Sequence, residues 1–338
     1  MKAYLLNRTG PPSVLKMKEI PAPEPGPGQV RVKIETIGLN YAEILSRKGL
    51  YGWAPKKPYI LGMEASGKID AIGRDVADCE AGKKVIVGTQ FGCYAEYVVV
   101  DSTRALPAKE IFSAAENAAF AVNYMTAWIS LMKMARLQPQ DIVLITVAGG
   151  GVGTAAVQIA KHYGCAVLGA VGSDEKVRLL NKLNIDAAVN YRKTDFETEV
   201  KKATGNRGVD VVIEMAGGDV YKKSLRLLAP FGRIVVVGFA SLDLKKWNPV
   251  SIWKTWRAIP RASVLKMSEG SYGVMSSHIG YLLKKPEIMS EVWRELTEFG
   301  AEHEISPVIG RQFDFTEMAA AHRFMESRQS YGKIVVNM

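Results

Sequence analysis

The stretch "DIVLITVAGGGVGTAAVQIAKHYGCAVLGAVGS" (141–173) decides what fold to expect. Residues 141–147 are a continuous apolar run, the pattern of a strand buried on both faces of a parallel sheet. Glycines follow, and then Val152, Ala155, Ala156 and Ile159 recur at helical spacing. Residues 165–171 form a second apolar run, so the whole reads as one strand–helix–strand unit. Ala148, Gly150 and Gly153 take the three marked positions of the dinucleotide fingerprint G-x-G-x-x-G. That pattern is weak alone; following a buried strand and opening a helix, it gains force. Gly150 would let backbone approach a pyrophosphate, and Gly153 would let helix and strand pack closely. The N–H groups of Gly151, Val152 and Gly153, with the helix dipole, favour negative charge.

Downstream the alternation continues. "DEKVRLLNKL", "DFETEVKKAT" and "VYKKSLRLL" read as helices; "DAAVNY", "VDVVIEM" and "GRIVVVG" read as strands. Such alternation implies an α/β fold with a doubly wound parallel sheet. Beyond residue 240 the cadence is lost, with helices expected at 274–284 and 288–299 and strands in "ISPVIGRQFDF" and "GKIVVNM". Upstream, 113–137 is Ala-rich and helical, and the first third is rich in strand signals: "QVRVKIETIGL" (29–39), "KKVIVG" (83–88) and "YAEYVVV" (94–100). That third reads as an antiparallel barrel or sandwich.

An NAD site usually places an acid at the end of the second strand to hold the ribose 2′-OH. Here Gly172 and Ser173 stand there, and Asp174 and Glu175 read as first-turn helix residues. Without a carboxylate in that slot a 2′-phosphate is tolerated; Ser173 can donate to it and Lys176 can neutralise it. Tyr191, after the third strand, would close the adenosine site. NADPH is therefore favoured over NADH. Ala216 and Gly217, after "DVVIEM", and Gly238 and Phe239, in "VVVGFAS", fall at strand C-terminal ends, where this fold binds ligands.

The 338 residues suffice for two domains, and 48% hydrophobic with 23% charged is ordinary for a soluble protein. No apolar run approaches the ~20 residues of a membrane span. Three widely spaced cysteines suggest no disulfide framework, and a cytoplasmic setting is the expectation. The net charge of +10 comes without a dense basic stripe or a reader motif, so nucleic acid is not an expected partner. The four histidines, His162, His278, His303 and His322, are scattered, and no Cys-x-x-Cys or His-x-x-x-His spacing occurs. No metal site is expected. "KKWNPVSIWKTWRAIPRASVLK" (245–266) gathers Trp247, Trp253 and Trp256 among basic residues; packing in a core or subunit contact, a lid, and peripheral membrane contact are its three readings.

The chain as a whole resembles the medium-chain dehydrogenase/reductase superfamily. The resemblance rests on "GMEASGKIDAIG" with "AGKKV" downstream, "FGCYAEYVVV", and the unit carrying "AGGGVG". It is nearest the zinc-independent quinone oxidoreductase branch through "GLNYAEILSRKGLY" (38–51), "NYMTAW" (123–128) and "VNYR" (189–192), and the region from 245 to 283 is similar to its vesicle amine transport protein-like members. The resemblance implies a GroES-like barrel domain at 1–123 and 302–338 around a Rossmann domain at 124–301. It also implies a homodimer or homotetramer. Zinc-dependent relatives have a His ligand where this chain has Met63 and a Cys where it has Asn40, and they carry a four-cysteine zinc lobe where only Cys93 is nearby. Glu64 is then expected to be structural, bonded to backbone or an arginine. By the same resemblance Asn40 lies near the nicotinamide ribose or substrate, Tyr51 at the nicotinamide face and Thr126 under the carboxamide. The activity implied is NADPH-dependent reduction of a quinone, by hydride or single electrons; an enone or alkenal C=C reductase is the alternative, and a low-turnover nucleotide-binding lipid-transfer or adaptor protein is a reading of another class.

Overall fold

The computed structural model describes residues 1–77, 79–239, 259 and 261–338. The apolar run ahead of the glycines becomes the strand Ile142–Thr146, and Val143, Leu144 and Ile145 are buried. It lies inside a six-stranded sheet ordered Ala187–Asn190, Ala166–Val171, Ile142–Thr146, Val209–Glu214, Leu228–Val236 and Gly273–Ser276. Every pairing in it is parallel. The chain builds outward on one side of Ile142–Thr146 and then returns to build on the other, which makes this strand's C-terminal end the switch point where such sheets take ligands. Leu144, Leu168, Val212 and Ile234 from four of the strands pack with Phe196, Val200 and Tyr221 from the intervening helices into one core.

One expectation is corrected here. Residues 274–284 were read as helix, but Gly273–Ser276 is the sixth strand, paired with Leu228–Val236, and only Ile279–Leu282 is helical. Four apolar residues bounded by turns do not distinguish the two periods; the open sheet edge decided it. The long Ala-rich helix is also two elements. Ala114–Trp128 is α-helix, and Ile129–Met134 widens into a π-turn, with Ala135 N–H donating to Ser130 O at 3.0 Å.

By its contacts the chain divides into two units: Met1–Val122, Gly280–Ser290 and Ser306–Met338, and Asn123–Ile279 with Glu291–Ile305. The first holds a sheet ordered Ile309–Asp314, Lys333–Asn337, Gln29–Gly38, Glu64–Ile72, Lys84–Gly88 and Ala105–Pro107, with Tyr97–Asp101 also on Gln29–Gly38. A three-stranded sheet of Met17–Glu19, Lys2–Leu6 and Tyr59–Ile60 completes it. Their inward residues, among them Leu6, Val32, Ile37, Leu61, Ile69 and Val336, form the second core. The segment 280–290 groups with this unit; its Tyr281 ring lies 6.1 Å from that of Trp53. Among the described residues no helix is long and apolar enough to cross a membrane. Trp247, Trp253 and Trp256 lie outside the described residues.

Candidate functional site

The glycine loop has the backbone the fingerprint requires. Val147, leaving the strand, sits at φ +54°, a conformation costly for a β-branched residue. Its carbonyl accepts the N–H of Gly150 at 3.0 Å, and Gly150 caps the helix Gly151–His162. The glycines have different reasons. A Cβ on Gly153 would stand 2.5–2.7 Å from the carbonyls of Val147 and Ala148, so a side chain is excluded by strand–helix packing. A Cβ on Gly151 would overlap the amide of Asn123, a contact that no motif in the sequence announces. On Gly150 it would meet nothing closer than Val147 O at 3.4 Å. Protein packing therefore leaves open space beside Gly150, at the start of the helix, where the end of the dipole favours negative charge.

At the end of Ala166–Val171, Ser173 caps the helix Asp174–Lys182, its hydroxyl accepting the N–H of Lys176 at 3.4 Å. The cap uses a lone pair, so the O–H proton is still available to donate. The Lys176 stem lies over Gly149, and a Cβ there would sit 3.2–3.4 Å from it. The Tyr191 hydroxyl and Arg192 Nε lie over Gly172 in the same way, 2.8 and 3.4 Å from where its Cβ would be. Burial and then the Arg192 charge push the Lys176 ammonium below its ordinary pKa, with Glu175 opposing. Asp174 is turned aside: it accepts from Asn190 Nδ2 at 2.7 Å and pairs with Lys193. The strand end thus carries Lys176 and Arg192, with Asp174 paired elsewhere. Arg192 went unassigned in the sequence reading; its signal was its place in "VNYR", directly after Tyr191.

The other strand ends meet nearby. Val237 N–H donates to Glu214 O at 2.8 Å, and Gly238 lies under Met215, whose carbonyl would be 3.6 Å from a Cβ. Ala216 is buried, Gly217 has φ +77°, and Phe239 is 41% exposed. Thr126 is buried; its carbonyl accepts Ser130 Oγ at 2.7 Å, which contacts Ser277 Oγ at 3.0 Å.

In the first unit, Asn40 caps the helix Tyr41–Lys48 and belongs to a buried polar cluster. Its Nδ2 donates to Glu64 Oε1 at 3.0 Å and to Gly38 O at 3.3 Å, and its Oδ1 accepts from Lys333 Nζ at 2.8 Å. Both amide hydrogens are therefore committed, and what Asn40 has left is an acceptor lone pair. Glu64 is fully buried, accepts Val122 N–H at 3.0 Å, and pairs with Lys333. The backbone bond from Val122 is of the expected kind; the cationic partner of Glu64 is a lysine of the last strand rather than an arginine.

A second chain of contacts steadies the same helix. Glu43 Oε2 accepts from Asn40 N at 2.9 Å and from Tyr94 OH at 2.6 Å, and its Oε1 from Met63 N at 2.7 Å. Arg47 Nε donates to His322 Nδ1 at 3.3 Å, which leaves His322 Nε2 to donate to Tyr94 OH at 2.9 Å. Burial, and then Arg47, push His322 down to about 3, so the ring stays neutral. Burial pushes Glu43 up to about 7, against the Asn40 N–H, the Tyr94 hydroxyl, the Lys333 charge and the Met63 N–H. Met63 is buried, and among the described residues no three His, Cys, Asp or Glu side chains come together as a metal set. Tyr51 follows the helix; its ring stands edge-on to Trp53 at 6.3 Å, and burial pushes its phenol upward, so it keeps its proton.

A parallel sheet with a glycine fingerprint, joined to a mainly antiparallel unit with a buried polar site, defines a nucleotide-dependent dehydrogenase or reductase. Comparison with known proteins agrees. Residues 26–110 match the alcohol dehydrogenase GroES-like domain, and 151–269 the family described as zinc-binding dehydrogenase. The rat protein named synaptic vesicle membrane protein VAT-1 homolog is 32% identical over 339 residues, 99% of this chain and 84% of that one. Rat quinone oxidoreductase-like protein 2 is 33% identical over 326 residues, 96% and 89%. The structure of Escherichia coli quinone oxidoreductase complexed with NADPH superposes with a TM-score of 0.89 at 25% identity, covering all of both chains. The chain belongs to the medium-chain dehydrogenase/reductase superfamily, among the quinone oxidoreductases and VAT-1 homologues.

Proposed function

We propose that this chain is an NADPH-dependent oxidoreductase that reduces quinones without zinc. The observation that carries the reading is the strand end: Tyr191 and Arg192 lie over Gly172, Ser173 follows it, and Lys176 lies over Gly149 within reach of the Arg192 charge, while Asp174 pairs with Asn190 and Lys193. Such a cradle suits a 2′-phosphate and disfavours none of its charge. Gly150, Gly151, Val152 and Gly153 would hold the pyrophosphate, and Thr126, Ala216, Gly217, Gly238 and Phe239 the nicotinamide half. NADPH, when bound, supplies a hydride or single electrons.

The first unit's residues support chemistry that needs no Lewis acid. Both Glu64 oxygens are engaged, by Lys333, Asn40 and the Val122 N–H, and a thioether stands at Met63. Asn40, its amide fixed by Lys333, would accept from a ribose or substrate hydroxyl. Tyr51, held in its protonated form, would donate its O–H to the oxygen that gains charge as the substrate is reduced. A conjugated, electron-poor acceptor suits such a site, because it needs less polarisation than an isolated carbonyl.

The test is NADPH oxidation measured against a quinone panel and an enone panel. Quinone turnover supports the reading; turnover of enones alone transfers the same site to C=C reduction; silence on both with tight liposome binding favours the adaptor or lipid-transfer reading. Lys176→Ala or Arg192→Ala should weaken NADPH by about ten- to a hundredfold, the worth of one charge-assisted hydrogen bond, and NADH hardly at all. Equal losses for both dinucleotides would remove the 2′-phosphate assignment.

A further inference from the structure

The strand Val209–Glu214 ends in a carboxyl group that the reaction as proposed does not use. Glu214 is fully buried. Its Oε1 accepts two backbone N–H groups, from Ala216 at 2.6 Å and Gly217 at 2.5 Å. These bonds fold the chain back sharply, through Gly217 and Gly218 at φ +77° and +61°, into the helix Gly218–Arg226. Thr146 Oγ1 holds the same turn from the fingerprint strand, accepting from Met215 N at 2.8 Å and donating to Ile213 O at 3.3 Å.

The other carboxyl oxygen is different. Among the described residues Oε2 has no hydrogen-bond partner, and neither has Ser224 Oγ, buried on the helix that the turn begins. An ionised carboxylate only accepts and offers about four lone-pair sites; here two are met, both on one oxygen. A proton on Oε2 turns that oxygen into a donor and gives the Ser224 hydroxyl something to accept. One hydrogen would answer both orphaned atoms.

We propose that Glu214 carries a proton on Oε2 in the resting protein and is a positioning residue that shapes the 215–218 turn for the dinucleotide. The proposal rests on the reading above that Ala216 and Gly217 line the dinucleotide site. Burial pushes the carboxyl up to about 7, with the Gly217 and Ala216 N–H groups and the Thr146 and Ser224 hydroxyls pulling the other way; the Ser224 hydroxyl lies near enough to be felt without making a bond of good geometry. Among the described residues the surroundings supply no countercharge. The neighbouring strands present Thr146 and, in register with Glu214, Val236. The helix presents Ser224 and Tyr221, whose phenol burial pushes up to about 12, while its Lys222, Lys223 and Arg226 pair with Asp219, Asp195 and Glu197. Ionising Glu214 would place a bare negative charge beside a site meant for an anion. Where the pH has begun to ionise Glu214, dinucleotide binding should then take up a proton, and affinity should fall as the pH rises through 7.

The experiment measures the dissociation constants of NADPH and NADH from pH 6 to 8.5 for wild type and Glu214→Gln, and follows the Glu214 carboxyl by carbon-13 NMR in labelled wild-type protein. NADH is included because it lacks the 2′-phosphate, whose own titration would otherwise mix with that of Glu214. Both dinucleotides should weaken by about tenfold across the range in wild type, the effect of a one-unit pKa change on binding. The Gln variant, which keeps an acceptor for the two N–H groups and a donor toward Ser224, should hold the wild-type pH 6 affinity throughout. The NMR midpoint should lie near 7. A midpoint below about 5, the range of an ordinary carboxyl, overturns the proposal; so does a Gln variant with the wild-type pH slope, or one already defective at pH 6. If wild type binds neither dinucleotide, the nucleotide reading fails, and the midpoint alone decides the state of Glu214.

Discussion

The first unit makes its polar site from side chains, and the second makes its own largely from backbone. Around Asn40, atoms from Gly38, Glu43, Glu64 and Lys333 meet across as many as 293 positions of sequence, with charged groups buried. Around Gly150 the shape comes from a strand end, a helix start and the absence of side chains within a few residues. A side-chain site of the first kind depends on every partner being present, because a buried charge left alone is far costlier than the pair was favourable. A backbone site of the second kind tolerates changes in chemistry and is intolerant of volume.

The contrast is broken most forcefully at Lys333. It is 3% exposed and pairs with a fully buried Glu64, so Lys333→Met strands a buried carboxylate and should cost about 3–5 kcal/mol in urea unfolding. Adding Glu64→Gln should restore most of that, since the amide can still accept from Val122 N or Asn40. A single variant within about 1 kcal/mol of wild type would mean that the pair is solvated and that the cluster is not built as described.

The next effect is set by pH. The carboxyl of Glu43, raised to about 7 in the folded chain, would titrate near 4.5 unfolded. A raised acid contributes stability that is fully present below its unfolded value and is lost as the pH climbs through its folded value. The chain should therefore be more stable at pH 5 than at pH 8, by up to roughly 3 kcal/mol from this group. Glu43→Gln should flatten that part of the slope, while losing stability at pH 5 because an amide accepts fewer of the N–H and O–H groups aimed at it. A stability curve that rises from pH 5 to 8, with the Gln variant parallel to it, would show that Glu43 ionises easily and that the donors around it outweigh burial.

These two expectations also mark where the sequence was legible. The fingerprint, the parallel sheet and the strand-end cluster were readable because each depends on neighbours: a buried run, glycines, a helix, and Lys176 three residues after Ser173. Where neighbours gave two answers the reading failed, as at 274–284, where a short apolar run became an edge strand. The cluster in the first unit was only half legible. Asn40 and Glu64 were marked by their place in recognisable segments, but nothing in "GKIVVNM" announces that Lys333 joins them, beyond a charge at the head of an apolar strand. The commitment of both Asn40 hydrogens followed from that unseen partner. Arg192 lay in view beside Tyr191, yet its place over Gly172 became apparent only in the folded chain.

In the second unit the sensitive quantity is volume. Gly153→Ala adds one methyl group 2.5–2.7 Å from two backbone carbonyls that cannot swing away, and should cost about 1–3 kcal/mol with a matching loss of dinucleotide affinity. Gly150→Ala, with its nearest contact at 3.4 Å, should leave stability almost unchanged and weaken the dinucleotide alone. The comparison between the two is the informative one. If both variants lose the same stability, the loop is crowded throughout, and the space at Gly150 is not shaped for an anion.

Tyr51 carries the smallest effect and tests how far the first unit takes part in chemistry at all. Its phenol, pushed upward by burial and by the Glu43 charge, stays protonated over the working range, so it acts as a hydrogen-bond donor and makes a poor proton source. Tyr51→Phe keeps the ring and its edge-on contact with Trp53 while removing only the O–H. One neutral hydrogen bond to an oxygen gaining charge is worth about 1 kcal/mol, a fall in kcat of roughly fivefold. NADPH affinity should move far less than turnover. The loss should also be independent of pH between 6 and 8.5, since the donor does not titrate there, which separates it from any effect routed through Glu43 or Glu214. Wild-type turnover in the Phe variant would reduce Tyr51 to an aromatic packed against Trp53, and the polar cluster of the first unit would then be structural.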